Sequence, residues 1–345
     1  MDILITIDYE LFGNGTGDVK SHMIEPTQKL MSLGERYNVP ITFFVEVEEF
    51  LAFERYATEL TGILGYNPAD LIRNQIIDMI RRGHDVQLHI HPQWKDAHLE
   101  NGIWVLDRNA TSIDALFSKE DEAVQYVKAR KNVLEKLFET IDPGRKVSAF
   151  RAGAFCAQPG KLLIPALCQN GIKFESSVVN GLYRTHGQGE LDYRYAPVAN
   201  SWRVKEDVAV EDPSGTLTEI PIGSRMQWRF QQLSYGRIKA KFSRKVPREK
   251  QQETLKEIGV SKNPLSVIRF LLKKAPTKFD IHNVEARTLL KLIKSSCHLK
   301  DNPQTVVLIG HTKEHLSDNN VENFLGSIQK NSGLRPVTFN KLLTD

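Results

Sequence analysis

The sequence is poor in cysteine and shows no sign of a disulfide framework. Its three cysteines are Cys156, Cys168 and Cys297, and no two of them form a close pair. Small disulfide-stabilised domains use more cysteines at regular spacings. We therefore interpret these residues as buried, unreactive thiols of a protein in a reducing compartment.

Long apolar runs are also missing. No stretch approaches the roughly 20 apolar residues that a membrane-spanning helix needs. The first ten residues, MDILITIDYE, carry Asp2 and no basic residue before the apolar run, which is unlike a secretory signal peptide. We expect a cytoplasmic protein without a transmembrane segment.

Charge of either sign is present in nearly equal amounts. The 345 residues include 46 Lys and Arg against 42 Asp and Glu, a net charge of +4, and 41% are hydrophobic. This composition excludes a disordered or fibrous chain, and the small positive excess gives no indication of nucleic-acid binding. The length allows two domains or one large α/β barrel. We interpret residues 1–345 as one barrel domain.

Strand-like and helix-like segments alternate along the chain. This order is typical of an α/β fold with a mainly parallel sheet covered by helices. The predicted strands are 2–8, 40–45, 85–91, 147–151, 172–175, 217–222 and 305–311. Helical spacing of apolar residues predicts helices over 69–82, 122–141 and 284–295.

One basic region interrupts the alternation before the last predicted strand. Residues 237–250 include seven basic residues and one acid, and a helical pattern follows at 265–274. We interpret about 226–278 as a basic helical insertion in the barrel. Its charge suits either a solvated helix face or a lid or docking surface for an acidic partner or an anionic substrate.

The end of the first predicted strand carries two carboxylates. Side chains two positions apart on a strand share a face, so Asp8 and Glu10 lie on the side opposite Ile3, Ile5 and Ile7. Two carboxylates at the rim of a barrel repel each other and lose hydration unless a cation compensates them. The pair therefore indicates a site for a cation or a base.

The third predicted strand ends in two histidines on one face, His89 and His91. Two imidazoles at this spacing can reach one metal ion. One carboxylate from the first strand completes a set of two histidines and a carboxylate, which leaves a position open for water. This pattern is typical of a catalytic rather than a structural metal site.

Two further strand ends carry Arg151 and His311. Each of these residues alone suits a structural salt bridge. Active sites of α/β barrels are built from the carboxyl ends of several strands. Four strand ends with acidic, imidazole and guanidinium groups therefore indicate an active site at one rim.

Six short segments contain these strand-end residues and their neighbours. They are TIDYE, YNVPITFFVE, GHDVQLHIHP, FRAG, GIKFESS and VVLIGHT. Together they resemble the motifs of the polysaccharide deacetylase family, the NodB-homology or family 4 carbohydrate esterase group. The resemblance extends over most of the chain and leaves out the basic insertion.

The resemblance implies a distorted (β/α)7-type barrel. It implies a divalent metal ion, typically zinc, that assists hydrolysis of an N- or O-acyl group, typically acetyl, on a sugar or a sugar-containing intermediate. By position, the implied roles are general base for Asp8, metal ligands for Glu10, His89 and His91, orientation of the base for Arg151, and general acid for His311. Glu175 stands at an acid position in the fifth motif.

The sequence departs from the family pattern in three places. The usual adjacent aspartates followed by glycine are absent, only Ile90 separates the two histidines instead of three residues, and glutamate replaces aspartate at Glu10 and Glu175. Because of these departures, a second interpretation stays open: a catalytically inactive member of the fold that binds a glycan or a partner. An amidohydrolase acting on a non-sugar C–N bond could use the same residues.

Substrate contacts are less clearly indicated than the catalytic rim. Exposed aromatic side chains often stack on sugars, and packing is the alternative role for each of them. The aromatic candidates in loop-like positions are Trp94, Trp104, Tyr183, Trp202 and Trp228. Among all residues, Trp94 and Glu175 are our candidate substrate contacts.

Overall fold

The structure is a computed structural model that describes residues 1–187, 189–232, 270–296, 305–314 and 318–344. Its strands are β1 (Asp2–Tyr9), β2 (Thr42–Glu46), β3 (Asp85–Ile90), β4 (His98–Glu100), β5 (Ile103–Val105), β6 (Ala149–Ala152), β7 (Phe174–Glu175), β8 (Tyr183–Arg184), β9 (Leu191–Asp192), β10 (Trp202–Val204), β11 (Leu217–Glu219), β12 (Ser224–Trp228), β13 (Lys274–Lys278), β14 (Thr305–His311) and β15 (Arg335–Val337). Its α-helices are α1 (Glu25–Arg36), α2 (Val47–Arg55), α3 (Ala57–Leu64), α4 (Pro68–Arg81), α5 (Ile113–Leu116), α6 (Glu120–Glu139), α7 (Leu163–Gln169), α8 (Ala286–Ser296), α9 (Asp318–Gln329) and α10 (Phe339–Leu342).

The main sheet is built on seven parallel strands. Their order is β11-β7-β6-β3-β2-β1-β14, with β10 antiparallel on β11 and β15 parallel to β1. These seven strands correspond one for one to the seven predicted strand segments, with ends that differ by a few residues. The predicted α/β fold with a parallel, barrel-like sheet is confirmed.

The sheet curls until its two ends meet at an irregular seam. Ile222, beyond the end of β11, forms an isolated parallel bridge with Val307 of β14. The Gly223 N–H also donates to the Val307 carbonyl at 2.9 Å. A β-carbon at Gly223 would lie 2.9 Å from that same carbonyl oxygen, so the approach of the two backbones requires glycine here. The barrel therefore closes through single bridges rather than a full ladder.

The alternation of side chains along β1 separates two apolar layers. Ile3, Ile5 and Ile7 are buried beneath the surrounding helices. Leu4 points to the barrel interior, where it belongs to a second cluster. That interior cluster contains Leu4, Phe44, Ala149, Val179, Ile220, Ile222, Val307, Ile309, Val337 and Phe339. The predicted assignment of the two faces is confirmed.

The short helix α10 closes the end of the barrel opposite the predicted site. Its Phe339 side chain is fully buried and contacts Phe44, with ring centroids 5.5 Å apart. Asn340 donates to the Asp85 carboxylate at the start of β3, at 2.7 Å. With this end filled, the carboxyl ends of the strands form the open rim.

The covering helices form where helix signals were predicted. α4 begins after Asn67, whose side chain accepts hydrogen bonds from the Ala69 and Asp70 N–H groups, and Pro68 occupies its first turn. The predicted helices 122–141 and 284–295 are observed as α6 and α8. Among the described residues, no helix combines the length and the apolar character needed to cross a membrane.

The basic insertion is framed by strands. β12 and β13 pair antiparallel as a separate two-stranded sheet, with Trp228 opposite Lys274. The predicted helix at 265–274 is therefore wrong at its carboxyl end, because Lys274 begins β13. Residues 265–269 of that predicted helix and the basic stretch 237–250 lie outside the described residues, as does Cys297. Cys156 is buried and Cys168 is partly buried.

The pairing of Trp228 with Lys274 predicts how the insertion can be shortened. Directly opposed residues of an antiparallel pair suit a two-residue turn. A variant in which residues 229–273 are replaced by Asn-Gly should fold, with a melting temperature within about 5 °C of the full chain. Near-UV circular dichroism and thermal unfolding test this. An insoluble variant, or one that binds a hydrophobic dye, would show that the segment covers apolar surface of the core.

Candidate metal centre

The strand register brings the predicted residues to one level of the rim. Asp8 of β1 is opposite His311 of β14. Arg151 of β6 is opposite His89 of β3, which in turn is opposite Glu46 of β2. In a parallel sheet, residues at one level present their side chains to the same part of the interior. Four separate strand ends therefore build one site.

Glu10, His89 and His91 converge as the predicted metal ligands should. Glu10 Oε2 lies 2.7 Å from His91 Nε2 and 3.4 Å from His89 Nε2. Both imidazole nitrogens are buried, and neither makes a hydrogen bond of acceptable geometry. Ligand atoms around a tetrahedral zinc ion lie about 3.3 Å apart, given Zn–N and Zn–O bonds near 2.0–2.1 Å. The donor set therefore fits a divalent ion, with a small outward movement of His91.

A backbone carbonyl orients the imidazole of His89, and burial lowers the pKa of His91. His89 Nδ1 lies 2.8 Å from the Arg151 carbonyl oxygen, and since a carbonyl only accepts, Nδ1 must carry the proton. The Nε2 lone pair then faces Glu10, as a metal ligand requires. Burial lowers the pKa of His91 despite the nearby Glu10 carboxylate, so this ring is neutral near pH 7. His89 thus presents Nε2 toward Glu10, and His91 is in the neutral form that binds metal.

Arg151 holds Asp8 in its ionised form. Arg151 Nη1 donates to Asp8 Oδ1 at 2.6 Å, and both side chains are almost completely buried. Burial alone would raise the pKa of Asp8, but Arg151 and the nearby imidazoles outweigh it and keep the pKa below its usual value. Further hydrogen bonds from Arg151 to Thr6 Oγ1 and the Ser176 carbonyl fix the guanidinium.

His311 lies beside this pair. Its Nε2 is 3.4 Å from Asp8 Oδ2, and its Nδ1 is 3.4 Å from Glu314 Oε2. Burial alone would lower the pKa of His311, but the Glu314 and Asp8 carboxylates outweigh it and raise the pKa above 6.5. Asp8, Glu10 and His311 form a second group whose ligand atoms lie within 4.8 Å of one another. His311 can therefore serve either as a proton donor or as an alternative ligand.

Lys313 is a residue of the site that sequence reasoning missed. Its Nζ donates to Glu10 Oε1 at 2.6 Å and to the Leu11 carbonyl at 2.8 Å. Burial alone would lower the pKa of Lys313, but the Glu10 contact outweighs it and raises the pKa. With Arg151 on Asp8 and Lys313 on Glu10, the two carboxylates are already compensated. Lys313 lies in the 3₁₀ turn after β14, where strand alternation predicts nothing.

Glu46 and Glu49 were also missed, although they lie directly behind the ligands. Glu46 Oε1 accepts from the His91 N–H at 2.8 Å, and its carboxylate caps the first turn of α2. Glu49 accepts from the Leu11 N–H at 3.0 Å. Burial, together with the neighbouring Glu10, raises the pKa of Glu49 to about 8. Their signal in the sequence is a group of acids inside an apolar segment.

Neither candidate substrate contact reaches the site. Trp94 is only 1% exposed and packs against Phe53 and Trp104. Glu175 is fully buried and accepts hydrogen bonds from the N–H and hydroxyl of Ser177. Ser177 in turn accepts from the Ala152 N–H. The expectation that Trp94 and Glu175 touch substrate is therefore corrected: the first packs, and the second braces the strand of Arg151.

The other aromatic candidates divide by exposure. Trp202 is 3% exposed, and its indole N–H donates to the Val208 carbonyl. Trp104 belongs to the aromatic cluster around Trp94. Tyr183 and Trp228 are 49% and 39% exposed. Only the last two are accessible as stacking surfaces.

The site opens into a small pocket of about 120 Å³. It is lined by Asp8, Glu10, Gly13, His89, His91, Ala154, Phe155, His311 and Lys313. Ala154 and Phe155 have left-handed backbone angles, with φ of 50° and 65°. Such strain in residues other than glycine is concentrated at functional sites, and here it forms one wall of the pocket.

No family model matches the sequence, and no curated protein matches it significantly. Solved structures match it in fold. A protein from Mycobacterium smegmatis crystallised as a polysaccharide deacetylase is 13% identical with a TM-score of 0.48, and the alignment covers 99% of this chain and 88% of that one. A family 4 acetyl xylan esterase from Clostridium thermocellum, in complex with cobalt, is 11% identical with a TM-score of 0.38, covering 100% and 91%.

A 4-alpha-glucanotransferase from Thermococcus litoralis aligns with a TM-score of 0.50 and 14% identity, over 100% of this chain and 40% of that one. The chain thus spans about two fifths of that enzyme. At these identities the likeness concerns the fold alone. The alignment with a TM-score of 0.50 agrees with the curled parallel sheet.

The close approach of Gly153 to His91 predicts the effect of a single methyl group. A β-carbon at Gly153 would lie 2.6 Å from His91 Cγ and 2.9 Å from its Cα. Gly153→Ala should therefore displace His91 and weaken Zn²⁺ binding about 10- to 100-fold. Competition with a chromophoric chelator measures this affinity.

Gly62→Ala is the matched control, because a β-carbon there meets nothing within 4 Å. It should leave the Zn²⁺ affinity unchanged. Wild-type affinity in a folded Gly153→Ala protein would show that His91 is not a ligand.

Proposed function

We propose that the protein is a metal-dependent hydrolase that removes a small acyl group, acetyl above all, from a nitrogen or oxygen of a sugar or sugar-containing intermediate. One observation carries this proposal. A single pocket brings together two buried imidazole nitrogens without hydrogen-bond partners, the Glu10 carboxylate, an Asp8–Arg151 pair and His311. Metal-assisted acyl hydrolysis uses a Lewis acid, a base and an acid within this reach.

Glu10, His89 and His91 would hold the metal ion. A divalent ion bound there supplies Lewis-acid activation of a water molecule and of the acyl carbonyl. We propose zinc, because two imidazoles and one carboxylate form a common zinc ligand set. The lowered pKa of His91 and the hydrogen bond of His89 Nδ1 to the Arg151 carbonyl support their assignment as ligands.

Asp8 would accept the proton of the attacking water. Arg151 occupies its Oδ1, and the low pKa keeps the carboxylate ionised at neutral pH. Its other oxygen, Oδ2, faces the pocket beside His311. Because Arg151 holds Oδ1, only Oδ2 is directed to accept a proton from a water molecule in the pocket.

His311 would protonate the leaving nitrogen or oxygen. General-acid work requires the imidazolium, and the raised pKa favours that form near neutral pH. Glu314 stands beside the ring nitrogen that faces away from Asp8, and it stabilises the charged ring. The Glu314 carboxylate therefore keeps its contact with His311 Nδ1 while Nε2 donates its proton.

The size of the pocket supports a small acyl group. Its volume is about 120 Å³, and polar side chains of the candidate centre line it. This small space suits an acetyl group better than a long acyl chain. An activated or lipid-linked sugar is compatible with a cytoplasmic protein.

A second candidate function is binding without catalysis, and Lys313 favours it. Its ammonium group already compensates Glu10, so the carboxylates of the site are neutralised by the protein's own cations. A divalent ion then gains less attraction than at an uncompensated pair. In this alternative the rim binds a glycan or a protein partner.

The test is release of acetate after addition of Zn²⁺. We expect turnover of N- or O-acetylated sugars, and we expect Asp8→Asn to lower it about 10²- to 10⁴-fold with Zn²⁺ content unchanged. Glu10→Gln should lose Zn²⁺ as well, since three protein ligands leave none to spare. Metal analysis of the purified variants separates the two effects.

Three outcomes would contradict this proposal. Failure to bind Zn²⁺ with no turnover would favour the binding function. Turnover of small amides but not of acetylated sugars would favour an amidohydrolase of non-sugar C–N bonds. Loss of Zn²⁺ in Asp8→Asn with retention in Glu10→Gln would reverse the two carboxylate roles.

His311→Ala separates proton donation from binding. It should lower kcat about 10²- to 10⁴-fold for an N-acetyl substrate and much less for an aryl acetate, whose leaving group departs without protonation. In the wild type, the rate should fall as pH rises through the His311 pKa, above 6.5, and this limb should disappear in the variant. An equal loss for both substrates with the limb intact would make His311 a binding contact.

A further inference from the structure

The charges of the chain are strongly segregated. Residues 224–278 contain 15 basic and 3 acidic residues, a net charge of +12. The other 290 residues contain 31 basic and 39 acidic residues, a net charge of −8. The overall value of +4 therefore conceals a basic segment on an acidic body. Such an asymmetry favours a polyanionic surface as partner of the segment.

The described part of this segment is the hairpin of β12 and β13, and it has no acidic residue. Its cations are Arg225, Arg229, Lys273, Lys274 and Lys278. Among these cations it exposes four large apolar side chains, Met226, Trp228, Phe230 and Leu272, which are 46%, 39%, 46% and 56% exposed. A surface of apolar side chains and lysines with no acids is unusual for a solvated loop.

The register places both kinds of side chain on one face. Met226 and Trp228 are two positions apart on β12 and share one face, and Trp228 is opposite Lys274 of β13. Arg225 lies on the other face, where its Nη1 donates to Ser295 Oγ at 2.9 Å. The Lys274 ammonium lies 5.2 Å from the centre of the Trp228 ring, which stacks on Phe230 at 6.4 Å. Aromatic rings beside lysines are the arrangement that proteins use at the boundary between lipid headgroups and acyl chains.

We propose that this hairpin face docks on the surface of an anionic lipid bilayer. Trp228, Phe230 and Leu272 would enter the headgroup region, while Lys273 and Lys274 contact lipid phosphates. A symmetric contact with the hairpin of a second copy is a poorer alternative, because it would bring the same cations against these. Nucleic acid would satisfy the charge but not the exposed Met226 and Leu272.

The hairpin adjoins the wall of the pocket. Lys278 Nζ lies 4.3 Å from the centre of the Phe155 ring, and Phe155 lines the pocket. Met226 packs so closely against Gly181 that a β-carbon there would overlap its sulfur. Docking would therefore bring the pocket near the bilayer. That the substrate is carried on a lipid rests on the proposed function, whereas the docking itself does not.

The test is cosedimentation of the full chain with vesicles, without substrate or turnover. We expect the fraction bound to vesicles of phosphatidylglycerol and phosphatidylcholine to exceed that for phosphatidylcholine alone at least tenfold. Raising the salt from 0.1 to 0.5 M should weaken binding, since it shortens the Debye length. Lys273→Glu/Lys274→Glu and Trp228→Ser/Leu272→Ser should each weaken it at least tenfold.

Two control variants make the same change in charge or the same loss of apolar side chains at surfaces away from the hairpin. Lys128→Glu/Lys136→Glu alters two exposed lysines of α6, and Tyr195→Ser/Val198→Ser removes side chains that are 84% and 79% exposed. Both should bind vesicles as the wild type does. Equal loss in control and hairpin variants would overturn the proposal.

A second measurement uses the unaltered chain. Brominated phosphatidylglycerol should quench tryptophan fluorescence, and the quenching should be lost in Trp228→Phe. Trp94 and Trp202 are buried and contribute little. Absence of quenching, no preference for anionic vesicles, tighter binding to RNA than to vesicles, or self-association that excludes vesicles would each overturn the proposal. None of these results depends on whether the pocket hydrolyses an acyl group.

Discussion

The buried ion pair between Asp8 and Arg151 organises the rim of the barrel. Arg151 is completely buried, and removing one partner of such a pair costs about 3–5 kcal/mol because it leaves an uncompensated charge. The same residue bonds to Thr6 of β1 and to Ser176 beyond β7, and its carbonyl orients His89. One arginine therefore fixes the candidate base, one candidate metal ligand and the relation between three strands.

A second constraint acts around Glu10. Its Oε2 faces the two imidazoles, while its Oε1 is held by Lys313. The lysine orients the carboxylate but also weakens its attraction for a second cation. Glu46 and Glu49 are buried behind the candidate ligands, where burial raises the pKa of both carboxyl groups and favours their neutral form. The site is thus a network of compensated charges, in which metal binding has to compete with the protein's own ammonium group.

For the basic hairpin, neither the net charge of the whole chain nor the local helical pattern indicated what the structure contains. The net charge of +4 conceals the basic stretch at 237–250, because the acids of the barrel offset the basic residues of the insertion. The pattern at 265–274 favoured a helix throughout, yet Lys274 pairs with Trp228 in a strand. Pairing between residues 46 positions apart is a tertiary effect that a local pattern does not contain.

The sequence by itself determined the strands, their two faces and the meeting of Asp8, Glu10, His89, Arg151 and His311 at one rim, because strand alternation has a strict period of two. It did not determine the seam at Ile222, the inward packing of Trp94 or the bracing role of Glu175. Those depend on how turns fold after the strands end, where no period applies. Lys313 enters the site for the same reason: its 3₁₀ turn, not its spacing from His311, carries its ammonium group to Glu10.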